Sequence, residues 1–260
     1  MGIVASQSFK NIISTYLGFF IGAINTLFLY TKFLSADYYG MVGYMLSLAY
    51  VIMPIMAFGM HNTLVKFYST FKTRISLHSF LTLMLVLPIC VIIPLILITH
   101  FSYDAIVGFL SNKNEIIKGY LWHTLIIAIA LAYFEVFFAW AKVQMQTVFG
   151  NFMKEVFHRV GAMTLLFLLH FEVINLEQFM GGLVVVYVLR MLVMNVYAFS
   201  VKLPVIIFKR VPNLRNILKY SFLIIIAGSI ATILLDVDKV MLGHYIDIKQ
   251  IAYYNVAIFI

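Results

Sequence analysis

Two ionisable side chains interrupt long apolar stretches of this chain. Glu135 lies within the stretch 133–137, between Phe134 and Val136, and Arg190 lies within 187–191. A charge that faces hydrocarbon costs about 2.5–3.5 kcal/mol even on the lenient insertion scale, so we expect both side chains to point into the protein. There they either act on a ligand, or they pair with each other and fix helix packing; the sequence leaves both roles open.

Arg190 belongs to a polar and aromatic stripe. Tyr187, Met194 and Tyr197 follow from it at helical steps of three and four residues, so all four share one helix face. We therefore include Tyr187 with Arg190 among the candidate site residues.

The first apolar segment places Gly18, Gly22, Asn25 and Lys32 on one face. The Gly18-x-x-x-Gly22 spacing is typical of close helix packing. Asn25 and Lys32 are candidates for the mouth of a cavity, although Lys32 could equally extend to the lipid headgroups.

The remaining candidates lie near the ends of apolar segments: His61, Lys66, Asp236, Asp238 and Lys239. The last three fit either a cation site that faces a cavity or an ion pair at a loop end, and Lys66 equally fits a lipid anchor. No catalytic or metal site is predicted, because the loops show no metal-ligand cluster and no Gly-rich phosphate cradle.

The elements that must position these residues are membrane helices. Mean hydropathy is +1.02, and 11% of residues are charged, against about 25% in an ordinary soluble domain. Seven apolar segments are long enough to cross a bilayer, and an eighth begins before Ile260. The predicted spans are 11–31, 40–60, 79–99, 119–141, 156–175, 178–200 and 219–243. The fold class predicted is all-α: a polytopic membrane helix bundle of about seven complete transmembrane helices plus the start of an eighth.

The basic residues give the bundle an orientation. If the N-terminus is cytoplasmic, most of the 18 Lys and Arg residues fall on the inner side, as the positive-inside rule requires. This topology and the anionic lipids of the inner leaflet account for the net charge of +8, so nucleic acid is not predicted as a partner.

The chain divides into three parts. Residues 1–200 are predicted to form a first six-helix transporter lobe, 201–218 a basic cytoplasmic linker, and 219–260 the start of a second lobe. The layout after the linker repeats that of the N-terminus, which is a plan familiar from transporters. Because the last residues are apolar, we expect the chain to be truncated.

Three stretches carry a family resemblance. Residues 33–42 combine an acidic turn with a Gly that opens a helix, 58–68 end a helix with a Gly and a basic residue beside an aromatic one, and 236–243 precede an aromatic pair at 253–254. In these stretches the chain resembles the polysaccharide-transporter branch of the superfamily that also contains the multidrug and toxin extrusion exporters and the lipid II flippases. Ala252 and Lys66 depart from the pattern, which prefers Gly and Arg there.

The resemblance implies a flippase rather than an enzyme. Such proteins move polyprenyl-pyrophosphate-linked oligosaccharides across the bacterial cytoplasmic (inner) membrane by alternating access, during biosynthesis of surface polysaccharides such as lipopolysaccharide O-antigen. It implies that the protein needs no cofactor and that transport is coupled to protons or Na⁺. The partners it implies are the lipid bilayer, the lipid-linked oligosaccharide, a polysaccharide polymerase and glycosyltransferases. Arg190 would then meet a phosphate, and Glu135 would bind the proton or cation that drives transport.

Three other classes are alternatives. A cation-coupled multidrug exporter of the same superfamily would use acidic residues inside its lobe, for which Glu135 is the strongest candidate. A membrane-embedded polysaccharide polymerase or glycosyltransferase needs placed acids or bases, usually on a substantial loop, and no loop here is large. A seven-helix receptor or channel fits poorly with a cytoplasmic N-terminus and an internal repeat.

Overall fold

The computed structural model describes residues 2–111 and 113–259. Met1, Asn112 and Ile260, which the predicted lobes include, lie outside the described residues. All regular structure in the two described ranges is helical, which confirms the all-α prediction. The α-helices are α1 (Ile3–Ile24), α2 (Tyr30–Phe33), α3 (Ala36–Met56), α4 (Met60–Phe67), α5 (Arg74–Phe101), α6 (Tyr103–Leu110), α7 (Ile116–Lys142), α8 (Val148–Phe152), α9 (His158–His170), α10 (Leu176–Val201), α11 (Leu214–Tyr245) and α12 (Lys249–Phe259).

Within the described residues, five helical stretches are long and apolar enough to cross a membrane. They are Ala5–Phe33, Ala36–Met56, Arg74–Phe101, Ile116–Lys142 and Leu176–Val201. The predicted spans 156–175 and 219–243 fall on α9 and α11, and both remain predictions as spans. The cytoplasmic N-terminus and the division into lobes also remain predictions.

Helix α7 is the centre of the bundle and packs against α3, α4 and α10. Its sequence is apolar around most of its circumference, so it has no face suited to water. Small residues such as Ala128 and Ala132 are fully buried and allow close approach, while Phe134 and Trp140 fill the space between helices. The side chain of Glu135 is therefore held in the interior by the most buried of the five candidate spans.

The helices after the linker dock on α3. Both α11 and α12 pack against it, because glycines remove side chains at the contact: a Cβ at Gly40 would overlap the carbonyl of Ile248, and one at Gly43 would overlap the Asn255 side chain. The turn between α11 and α12 is held by buried Asn114, whose Nδ2 donates to Gly243 O at 2.7 Å. Asp236 and Lys239 are thereby brought beside the first helices of the chain.

Two π-helical turns interrupt the bundle near each other. One, Asn25–Leu29, joins α1 to α2, and the other, Met153–Phe157, joins α8 to α9. A π turn inserts one extra residue into a helix and rotates the side chains around it, and such turns are frequent at functional sites. The first presents Asn25 toward α9, where Asn25 Nδ2 donates to the carbonyl of Arg159 at 2.8 Å.

Candidate functional site

A cavity of about 310 Å³ lies between α1, α3, α9, α10, α11 and α12. We call it the polar cavity. Its polar lining includes Asn25, Ser47, Arg159, Tyr187, Asp236 and Lys239. Four of the residues selected from the sequence, Asn25, Tyr187, Asp236 and Lys239, thus come together at one site although they come from three different helical segments.

Helix α11 contributes an acid and a base to the cavity. Ser47 on α3 donates to Asp236 Oδ1 at 2.7 Å, and Lys239 lies one turn further along the same face. Asp236 is half-buried. The carboxylate is thus held by a hydroxyl from α3, while Lys239 lines the open space.

Arg159 is the second cation of the cavity. Its Nη1 donates to the backbone oxygen of Glu155 at 2.9 Å and lies 3.4 Å from Glu155 Oε2. The side chain runs across Gly18 and Gly22: a Cβ at Gly18 would lie 2.6 Å from Arg159 Nη1, and one at Gly22 would lie 3.2 Å from Nε. The Gly18-x-x-x-Gly22 spacing therefore provides the close packing expected of it and also a groove for this guanidinium.

The side chain of Asn25 is buried, with 3% exposure, and its amide oxygen makes no hydrogen bond among the described residues. Its Nδ2 is bonded to Arg159 O, whereas Oδ1 has no hydrogen-bond partner among the described residues. A buried acceptor without a partner is costly to leave unmet. Asn25 therefore adds an available acceptor to the two cations.

Arg190 lies behind the wall of the cavity. It is 2% exposed, its guanidinium carbon lies 4.0 Å from the centre of the Phe134 ring and 5.4 Å from that of Tyr187, and its Nη1 lies 3.4 Å from His158 Nδ1. Tyr187 and His158 both line the cavity. Arg190 thus supports two lining residues from the protein interior, and the predicted polar and aromatic stripe is a packed one.

Glu135 belongs to a separate group of charges. Its Oε1 lies 2.6 Å from Lys154 Nζ, and His61 and Lys142 are close enough to interact electrostatically with it. We call His61, Glu135, Lys142 and Lys154 the ion-pair cluster. Burial lowers the pKa of His61, which favours its neutral form. The Glu135–Arg190 pair considered from the sequence does not form, since Lys154 is the partner of Glu135 and Arg190 packs on aromatic rings.

The other candidates lie outside both groups. Lys32 and Lys66 are exposed. Asp238 is also exposed, and its Oδ2 accepts a hydrogen bond from Tyr254 OH at 2.9 Å, which ties α11 to α12. Any role of these residues in transport stays a prediction.

Sequence reasoning missed the cations of the fifth apolar segment. In the sequence analysis Lys154 and Arg159 contribute only to the Lys and Arg residues on the inner side. A usable signal was present, because Lys154, Glu155, His158 and Arg159 fall within two helical turns at the entrance of an apolar segment. The sequence does not reveal the π turn at Met153–Phe157. In the structure the side chain of Lys154 points toward α7 and that of Arg159 toward α1.

Comparison with known proteins identifies the family. The sequence model of the family described as Polysaccharide biosynthesis protein matches residues 6–258, nearly the whole chain. No curated protein and no solved structure matches the chain. Members of this family are generally transporters. The chain belongs to the polysaccharide biosynthesis protein family of the multidrug, oligosaccharidyl-lipid and polysaccharide exporter superfamily.

Proposed function

We propose that this protein is a flippase of a bacterial cytoplasmic membrane that moves a polyprenyl-pyrophosphate-linked oligosaccharide by alternating access, and that it is not an enzyme. Residues 1–200 form the first lobe in this proposal, 201–218 the cytoplasmic linker and 219–260 the start of the second lobe. The N-terminus is cytoplasmic. The polar cavity, between the first helices and α11 and α12, is the site for the pyrophosphate.

The observation that carries the proposal is the pair of cations at the cavity. Arg159 and Lys239 both line it together with the carboxylate of Asp236, and Arg159 is also paired with Glu155. A diphosphate that crosses a hydrocarbon layer must exchange its hydration for charged partners, since an isolated charge there is strongly disfavoured. A guanidinium can form two parallel bonds with phosphate, and an ammonium supplies a compact point charge.

The volume of the cavity suits a head group rather than a whole glycan. About 310 Å³ is room for about ten water molecules at about 30 Å³ each. In our proposal the diphosphate occupies this space, the oligosaccharide extends beyond it, and the polyprenyl tail stays in the lipid.

The ion-pair cluster favours the flippase over the multidrug–cation exporter. The exporter alternative was based on Glu135 as the cation-binding acid, and the carboxylate of Glu135 is already bonded to Lys154. Coupling to protons or Na⁺ is part of the flippase proposal, and we assign it to Asp236, the carboxylate that borders the cavity.

The proposal is tested in cells that carry the intact gene, by introducing Arg159→Ala and Lys239→Ala together. We expect normal amounts of membrane-inserted protein, loss of surface polysaccharide and accumulation of the lipid-linked oligosaccharide on the inner face. Lys113→Ala, which removes an exposed Lys far from the cavity in sequence, is the control for lost positive charge. Unchanged surface polysaccharide in the double variant would refute the proposal.

A further inference from the structure

The segment between α10 and α11 is not helical and exposes large apolar side chains. We call residues 202–213 the linker strap. Leu203, Ile206 and Phe208 are 75%, 67% and 80% exposed. All three lie within six residues of the chain, and we call them the apolar edge of the strap.

The linker strap is fixed to the bundle by its backbone. The N–H of Ile207 donates to Thr82 Oγ1 at 3.0 Å, and Trp140 Nε1 donates to the carbonyl of Lys202 at 3.0 Å. Lys202 Nζ in turn donates to Tyr68 OH at 2.9 Å. These hydrogen bonds hold the strap against α5 and α7. Its apolar side chains are therefore exposed because the backbone is fixed in this position.

The level of the strap is set by Thr82. This residue lies about two turns, or about 12 Å, from the start of α5, which is one of the helices long and apolar enough to span a membrane. Non-helical backbone is tolerated at such a level only where its polar groups find partners in the protein. Thr82 and Trp140 supply those partners, so the strap is suited to lie within the bilayer interface.

The charges beside the apolar edge have one sign. Lys209, Arg210, Arg215 and Lys219 are exposed, and the sequence contains no Asp or Glu from 178 to 235. Exposed Lys72 borders the same surface depression as Pro212 of the strap. A ligand of this surface must therefore be anionic and must also accept apolar side chains.

We propose that the linker strap is an interfacial anchor for anionic lipids. Leu203, Ile206 and Phe208 insert among the acyl chains, and Lys209, Arg210 and Arg215 bind the phosphate-bearing headgroups above them. Apolar insertion combined with basic residues is the usual basis of binding to an anionic membrane surface. The anchor fixes the connection between α10 and α11 at the membrane surface, and it does not depend on which substrate the protein moves.

The apolar half of the proposal is tested with a spin label at Phe208→Cys, in a Cys90→Ala background because Cys90 is the only cysteine. The purified full chain is reconstituted in vesicles of phosphatidylcholine and phosphatidylglycerol. We expect the label to collide with oxygen and to be shielded from a water-soluble nickel reagent. The matched control is Thr70→Cys, which is exposed on the loop before α5 and should show the reverse. If the nickel reagent reaches the label at 208 as readily as the label at 70, the proposal is overturned.

The basic half is tested with the triple variant Lys209→Gln, Arg210→Gln and Arg215→Gln. In the same vesicles we expect co-purified phosphatidylglycerol to fall at least severalfold, whereas phosphatidylcholine stays constant. A second triple variant at Lys10, Lys113 and Lys118 controls for net charge. Equal retention of phosphatidylglycerol by both triple variants would contradict the anchor. A label at 208 shielded in detergent and bilayer alike would do so too, because it would indicate that a protein surface covers the strap.

Discussion

The polar cavity and the ion-pair cluster both contain charged residues that are at least partly buried, and they differ in what lies next to those charges. In the cluster, Glu135 and Lys154 are 2.6 Å apart, so each is the main partner of the other. In the cavity, Lys239 and Arg159 border open space, and Asn25 Oδ1 has no partner in the described part of the chain. The pair between α7 and the fifth segment maintains architecture, whereas cations that border a cavity have one side open to a ligand, including Arg159, which also pairs with Glu155.

The energetics of the two regions differ accordingly. Removing one member of a buried pair leaves an uncompensated charge and typically costs about 3–5 kcal/mol of folding free energy. Removing Arg159 from the cavity leaves the carboxylate of Glu155, but that side chain is 24% exposed, against 11% for Glu135. The first change should therefore be measured in stability and the second in transport.

The largest effect is expected for Lys154→Met, which leaves the Glu135 carboxylate without its cation. We expect a loss of about 3 kcal/mol in unfolding free energy, at the lower end of the range for buried pairs, since the Lys154 side chain is 41% exposed. Denaturant unfolding of the purified protein in detergent measures it.

The matched variant changes both members, Glu135→Met with Lys154→Met. It removes both charges at similar volume, and replacing a whole buried pair by apolar residues is often neutral. The double variant should recover most of the stability lost in the single one. If Lys154→Met is as stable as the parent protein, the Glu135–Lys154 pair does not stabilise the fold.

The second effect concerns the cavity. Arg159→Ala removes charge-assisted hydrogen bonds worth about 1.5–3 kcal/mol each, so we expect transport to fall by about 10- to 100-fold with little loss of stability. Arg159→Lys keeps the charge but not the planar fork, and it should restore part of the activity. Equal transport in the parent and Arg159→Ala would exclude this guanidinium from the site.

A smaller effect is expected at Asn25. Asn25→Ala removes the hydrogen bond that holds the backbone of Arg159, which is worth about 1 kcal/mol, so transport should fall by about fivefold. Asn25→Leu, with similar volume and no polar atom, should behave alike in a transport assay. A stability loss as large as that of Lys154→Met would instead assign Asn25 to the architecture.

The smallest effect is expected for Asp238→Asn. This exposed residue lies outside both regions and bonds Tyr254 OH, which an amide oxygen can also accept. Transport and unfolding free energy should both change by less than about 0.5 kcal/mol, as for most surface substitutions. A large transport defect would extend the site beyond the cavity.

The sequence was sufficient for the fold class because membrane helices are encoded locally, in apolar stretches of fixed length. The predicted spans 79–99 and 178–200 lie inside α5 and α10; they begin about five and two residues after the helix starts and end about two and one residues before it ends. Candidate residues such as Asn25 and Asp236 were also found, since a polar group in an apolar stretch is conspicuous. Each of these signals is contained in one segment of the chain.

Which charged side chains pair with each other could not be predicted in the same way. Glu135 pairs with Lys154 and not with Arg190 because a π turn at Met153–Phe157 rotates the start of the fifth segment toward α7. The extra residue of a π turn leaves no pattern in hydropathy. Arg159 was overlooked for the same reason, because only the groove at Gly18 and Gly22 reveals where its side chain runs.

The most direct test of the central claim compares two double variants of the full chain in proteoliposomes, with a fluorescent polyprenyl-diphosphate oligosaccharide as substrate. One variant combines Arg159→Ala with Lys239→Ala, and the other combines Glu135→Met with Lys154→Met. We predict that the first keeps its folding stability and loses flipping, whereas the second keeps most of its flipping. Flipping retained without the cavity cations, and lost without the ion pair, would contradict the division of roles between the two regions.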